Sequence, residues 1–141
     1  VTNLKFMIMK KILLTLMCIV ISTLSFSQKN LDKGSLKIAS VKAVDYMHKT
    51  LNLNEKQKAI FASAYAEYAA NMMKAVDKTK KDKKGVDPKK NRKELNMHML
   101  RFTEKRDNRI KDCLKKKQLI QYDNLVRDIH PYTLEVRQRK K

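Results

Sequence analysis

Glycine and proline are almost missing from this 141-residue chain, which has only Gly34, Gly85, Pro88 and Pro131. A β-sandwich or barrel needs a turn about every 8–12 residues, and such turns draw on glycine and proline, so neither architecture fits. Cysteine is equally scarce: Cys18 and Cys113 are the whole supply, too few for a disulfide scaffold. There is no tryptophan, no Gly-rich phosphate loop, no HExxH and no CxxC. His48, His98 and His130 have no serine or cysteine at a spacing that would pair with them for nucleophilic chemistry. These absences point away from an enzyme. Acidic residues are also few, 14 against 33 basic ones, for a net charge of +19.

The first segment reads as an export signal. Met9-Lys10-Lys11 precedes an uncharged apolar run from Ile12 to Ile21, and Ser25-Phe26-Ser27 supplies small residues where a signal peptidase reads. The run falls short of the roughly 18 apolar residues a spanning helix needs. A lipoprotein signal ending at Cys18 is disfavoured, because Met17 stands where a small residue belongs and apolar sequence continues beyond it. Met7 or Met9 would serve as a start, with the residues before it an upstream extension. The expectation is therefore a signal peptide over 1–27, cut between Ser27 and Gln28, and a periplasmic protein over 28–141. Lys5, Lys10 and Lys11 are the only charges of the leader, so the remainder has 30 basic and 14 acidic residues, net +16.

What is present recurs at three and four residues, the spacing of a helical face. After a flexible 28–35, one helix is expected over Leu36–Thr50, with Ile38, Val41, Val44 and Met47 as its face. A second begins after Asn54 and reaches about Lys78, with a stripe of Phe61, Tyr65, Tyr68, Met72 and Val76. Lys80–Val86 is a charged turn. Asp87-Pro88 is a helix start, an N-cap carboxylate followed by a proline whose missing N–H costs nothing at the first helical position. The third helix carries Leu95, Met99, Phe102 and Ile110 to Leu114. The fourth stops near Pro131, and 131–141 reads as a frayed basic tail. With no breaker near Leu114, helices three and four can also be one bent rod.

A motif is repeated within this domain, 36–130. Leu53-Asn54-Glu55-Lys56-Gln57 and Leu114-Lys115-Lys116-Lys117-Gln118 each open an apolar ladder: Leu53, Gln57, Phe61, Tyr65, Tyr68 and Leu114, Gln118, Tyr122, Val126, Ile129. At the first copy Asn54 and Gln57 can form a reciprocal capping box. At the second, Lys115 has no acceptor for a capping bond, although Leu114 and Leu119 can form a hydrophobic staple.

On these motifs, Leu53, Asn54, Gln57, Leu114 and Gln118, together with the leader and the Met-rich, glycine-poor remainder, the chain resembles the Spy/CpxP-like (LTxxQ) family of small periplasmic helical proteins. Asn54 and Lys115 replace the family's usual threonine. The resemblance implies an all-α fold, an elongated bent helical hairpin of about four segments that dimerises into a thin cradle. It also implies ATP-independent holding of unfolded or partly folded clients, or a role as an envelope-stress adaptor or metal sensor.

The residues bear on these roles separately. Phe61, Tyr65, Tyr68, Met72, Met99 and Phe102 exceed what one partner helix covers, which leaves a client surface, a homodimer contact or the core of a four-helix bundle as their destination. Met72, Met73, Met97 and Met99 suit either adaptable binding or core filling. Ten basic and three acidic residues between Lys74 and Lys93 would draw in acidic clients or an anionic envelope surface, or simply keep the turn solvated. No aromatic is interleaved with them to stack bases, and export argues against nucleic acid. Cys113 reads as a small buried hydrophobe, with a bridge between subunits as the alternative. No cofactor is expected. His48, Met97, His98 and Met99 combine imidazole and thioether as soft-metal sites do. Successive helix residues diverge by about 100°, however, so a metal would need His48 or a second subunit to meet His98. A metal-binding protein, or a structural envelope protein, is the alternative function.

Overall fold

A computed structural model describes residues 31–81 and 85–137; the expected export signal lies outside the described residues. The described chain is all-helical and hairpin-like. In chain order it forms α1 (Lys33–Leu51), α2 (Glu55–Lys81), α3 (Pro88–Lys111) and α4 (Lys116–Leu125), then a single 3-10 turn, Val126–Asp128.

Local chemistry sets the starts and stops. The Asp32 carboxylate accepts from the Ser35 N–H at 3.2 Å and caps α1. Asn52, in the left-handed region at φ 48°, closes it by donating its N–H to the His48 carbonyl. The capping box at α2 is complete: Gln57 N–H donates to Asn54 Oδ1 at 2.8 Å, and Asn54 N–H donates to Gln57 Oε1 at 3.1 Å. At α3, Asp87 Oδ1 accepts from Lys89 N–H at 2.9 Å and Pro88 occupies the first turn. Gly85 precedes it at φ 99°, a conformation glycine adopts without penalty.

Ion pairs give the register of the long arms. Lys78 meets Glu94, Glu67 meets Lys105 and Arg109, and Ser63 Oγ accepts from Arg109, so α2 and α3 run antiparallel. α2 packs against both α1 and α3, and α4 returns to α1, where Tyr46 donates to Asp128 at 3.2 Å. The stripe expected on α2 is the centre of the core: Phe61, Tyr65, Tyr68, Met72 and Val76 are all buried. Each such side chain contributes about 1.5–3 kcal/mol by leaving water.

Two expectations are corrected and one open alternative is decided. On α1, Val44 and Met47 are buried, but Ile38 and Val41 are 59 % and 57 % exposed. The inward face is instead Leu36, Ala39, Ser40, Ala43, Val44 and Met47, because small side chains let the helices approach closely and the β-branched pair is turned outward. Helices three and four are not one rod: the chain turns at 112–115 without glycine or proline. The residues from Pro131 to Arg137 are not frayed either. They form a hook closed by an Ile129–Val136 bridge and an Arg137 N–H to Asp128 carbonyl bond of 2.7 Å, and it buries Leu134 completely.

Candidate functional site

The break between α3 and α4 is explained by the repeated glutamines. Gln57, on α2, sends its Nε2 to the Cys113 carbonyl at 2.9 Å and to Gln118 Oε1 at 2.9 Å. Gln118, on α4, accepts from the Lys115 N–H at 3.0 Å and donates to the Leu51 carbonyl at 3.1 Å. Each glutamine thus caps its own helix and satisfies a carbonyl at the end of the helix before its counterpart. Carbonyls and amides released by a turn must find partners. These side chains supply them where a glycine signal would ordinarily stand. The Lys115 side chain, a donor only, completes no reciprocal bond. Leu53 is buried and Leu114 packs against the core. The five motif residues are therefore structural, joining the two halves of the chain.

Farther along α2 the core turns polar. Arg106 of α3, 5 % exposed, lies between two rings, its guanidinium carbon 4.8 Å from the Tyr65 centroid and 4.9 Å from that of Tyr68. It pairs with Asp107 at 2.8 Å, and Asp107 accepts the Tyr122 hydroxyl at 2.7 Å. Burial alone would lower the Arg106 pKa, but Tyr65 and Asp107 outweigh it and favour the cation. Burial pushes the Tyr65 hydroxyl up to about 12, and it raises Tyr122 and Tyr68 as well. The Tyr65 hydroxyl sits near Tyr122 without completing a hydrogen bond, whereas that of Tyr68 donates to the Pro131 carbonyl and ties the hook to α2. Arg106 escaped the sequence reading because a charged residue on a basic helix looks like solvated surface. The only available signal was its fall on the inward face between Met99, Phe102 and Ile110.

The six residues read as a client surface are placed inside. Phe61, Tyr65, Tyr68 and Met72 are 0–1 % exposed and Met99 is 8 % exposed, while Phe102 is half-buried under Arg101. The five enclosed side chains cannot touch a client without opening the fold, so they are core and their surface assignment is corrected, while Phe102 packs against that core from its half-buried position. The soft-metal residues are dispersed: Met97 is exposed, Met99 is buried, and His98 stacks on Phe102 and faces Glu94 at 3.6 Å. His48 lies at the end of α1, where its carbonyl accepts from Asn52 and Leu53. Among the described residues, no three His, Cys, Asp or Glu side chains converge. The Cys113 thiol donates to the Ile110 carbonyl at 3.1 Å, and burial raises its pKa.

What the chain offers outward lies elsewhere. Ile38, Val41, Met97, Leu100 and Ile120 are each more than half exposed. Beside Val41, α1 and α2 enclose a groove of about 720 Å³ whose floor is Ala62, Ala66, Ala69, Ala70 and Met73. Lysines line its rim: Lys33 and Lys37 on α1, Lys58 and Lys74 on α2, with Asp45 and Asp77. Among the described residues no helix is long and apolar enough to cross a membrane.

Comparison with protein-family models, with curated proteins and with solved structures found no match.

Proposed function

We propose that this chain is an exported, non-enzymatic holding protein of the Spy/CpxP-like kind, acting in the periplasm as an ATP-independent chaperone or stress adaptor and working as a homodimer. The observation that carries the reading is the pairing of exposed apolar side chains with a strongly basic surface. Ile38, Val41, Met97, Leu100 and Ile120 stand in water on a chain whose residues 28–141 have a net charge of +16. Ile38 and Val41 stand one turn apart on α1, and Met97 and Leu100 one turn apart on α3, so each pair offers an exposed apolar strip that an adaptable binding surface can use. The lysines speed encounter with acidic clients through long-range attraction that salt screens. The two Leu-x-x-x-Gln motifs support the family reading, since both glutamines serve the same joint between helices.

The test is light scattering from a chemically denatured client diluted into buffer with stoichiometric protein and no ATP, at low and moderate salt. Suppressed aggregation that weakens with salt supports the reading. No suppression at either salt overturns it.

A further inference from the structure

We infer that the α1–α2 groove is a binding site for one long-chain anionic amphiphile, a fatty-acid-type carboxylate, bound with its head at one defined end. This goes beyond the holding of clients and does not depend on it.

Three observations carry the inference. The first is shape. The groove holds about 720 Å³, within the roughly 300–1,000 Å³ of small-molecule sites, and its floor is apolar. The helix rise of 1.5 Å makes it roughly 18 Å long from Lys33 to Asp45.

The second is the distribution of charge along it. A three-residue connection makes α1 and α2 antiparallel neighbours, so Lys33 and Lys37 share one end with Lys74 and Asp77. Asp45 and Lys58 stand at the other end and pair at 3.9 Å. That far end is neutral. The near end has three ammonium groups against one carboxylate, and none of those lysines has an ion-pair partner among the described residues. An anion is drawn to the near end, and its apolar chain then runs toward the neutral pair. A second copy of this chain would bring further positive charge to the same end and is disfavoured.

The third is the chemistry of the walls. Both are helices whose backbone groups are bonded internally, and among the described residues Ser40 is the one uncharged polar side chain lining the groove. An extended peptide laid here would leave its own N–H and C=O groups unpaired, at a cost for each. An acyl chain has no such groups.

The test is titration calorimetry of the protein as its host processes it, with sodium dodecanoate below its aggregation concentration. Dodecanol and dodecyltrimethylammonium are the neutral and cationic comparisons. Dodecanoate is expected to bind one to one, dodecanol more weakly, and the cationic amphiphile not at all. Ala66→Phe fills the floor from an exposed position and should abolish binding with the melting temperature kept. Lys37→Glu with Lys74→Glu should weaken dodecanoate roughly tenfold and leave dodecanol unchanged. An acidic apolar peptide is the remaining arm. If it binds and dodecanoate does not, the groove is a client site and the inference fails. Several dodecanoate molecules bound indifferently to Ala66→Phe, or equal binding of the cationic amphiphile, also overturn it. Aggregation suppression measured on the same variants reports separately on client holding.

Discussion

Gln57 and Gln118, sixty-one residues apart, meet side chain to side chain, Nε2 of the first donating to Oε1 of the second at 2.9 Å. One turn farther along each ladder Phe61 and Tyr122 meet edge to face at 5.8 Å, again equivalents across the repeat. The repeat is therefore a contact as well as a pattern: the two halves of the chain hold each other through corresponding residues.

That joint predicts unequal costs. Gln57 is 6 % exposed, and Gln57→Ala strips partners from the Asn54 N–H and the Cys113 carbonyl at once, so a loss of about 2–4 kcal/mol is expected in urea unfolding. Gln118→Ala, at a half-buried position, should cost about 1–2 kcal/mol. The double variant should fall short of the sum by about 1 kcal/mol, and full additivity would mean the two glutamines act independently.

The tyrosines predict an alkaline limit. Tyr65 titrates near 12 when folded and near its ordinary 10 when unfolded. Above pH 10 the unfolded chain gives up this proton first, so stability is full below 10 and is lost as pH rises toward 12, by about 3 kcal/mol for this group. Tyr65→Phe should flatten the fall between pH 10 and 12. At pH 7 it should cost under about 1 kcal/mol, since the hydroxyl it removes completes no hydrogen bond. Denaturant midpoints across that pH range check both.

The C-terminal hook predicts that residues beyond Pro131 are needed for stability. Leu134 is wholly buried at φ 56°, an unfavourable conformation for leucine that packing holds in place. Leu134→Ala should cost about 2–4 kcal/mol, and truncation after His130 at least as much. His130 Nδ1 accepts from the Tyr132 and Thr133 N–H groups at 3.3 and 3.2 Å, and burial, with Arg137, lowers its pKa. Its contribution is present above pH 6.5 and is lost as pH falls through the depressed value, because the unfolded chain takes the proton more readily. An unchanged melting temperature after truncation would return the hook to a tail.

The exposed apolar residues predict a separation of folding from holding. Ile38→Lys with Val41→Lys should leave the circular-dichroism melt within about 0.5 kcal/mol of the parent and reduce aggregation suppression. Phe61→Asp should unfold the protein by burying a charge in its core. Holding by a folded Phe61→Asp variant would restore the aromatic stripe as a surface.

Much of the fold was legible because it is local. Periodicity, the Asn54–Gln57 box and the Asp87-Pro88 start each act within one helical turn, so α2 and the start of α3 stand where the residues place them. The α1 face was misjudged because hydrophobicity alone ranked Ile38 and Val41 above Ala39 and Ala43. Burial there was decided by how closely α2 could approach. The turn at 112–115 was invisible because the Cys113 carbonyl it releases is satisfied by Gln57, a residue far away in the chain.

The sequence by itself determined an all-helical chain, its positive charge and the 61-residue repeat, since each is a property of composition or of neighbours within a few residues. Tertiary structure alone decided which apolar residues are core and which face water. It also decided that Arg106 is enclosed by Tyr65 and Tyr68, that Leu134 is anchored, and that α1 and α2 leave a groove charged at one end. Burial is a property of what packs opposite a side chain, and that partner arrives from a distant part of the chain.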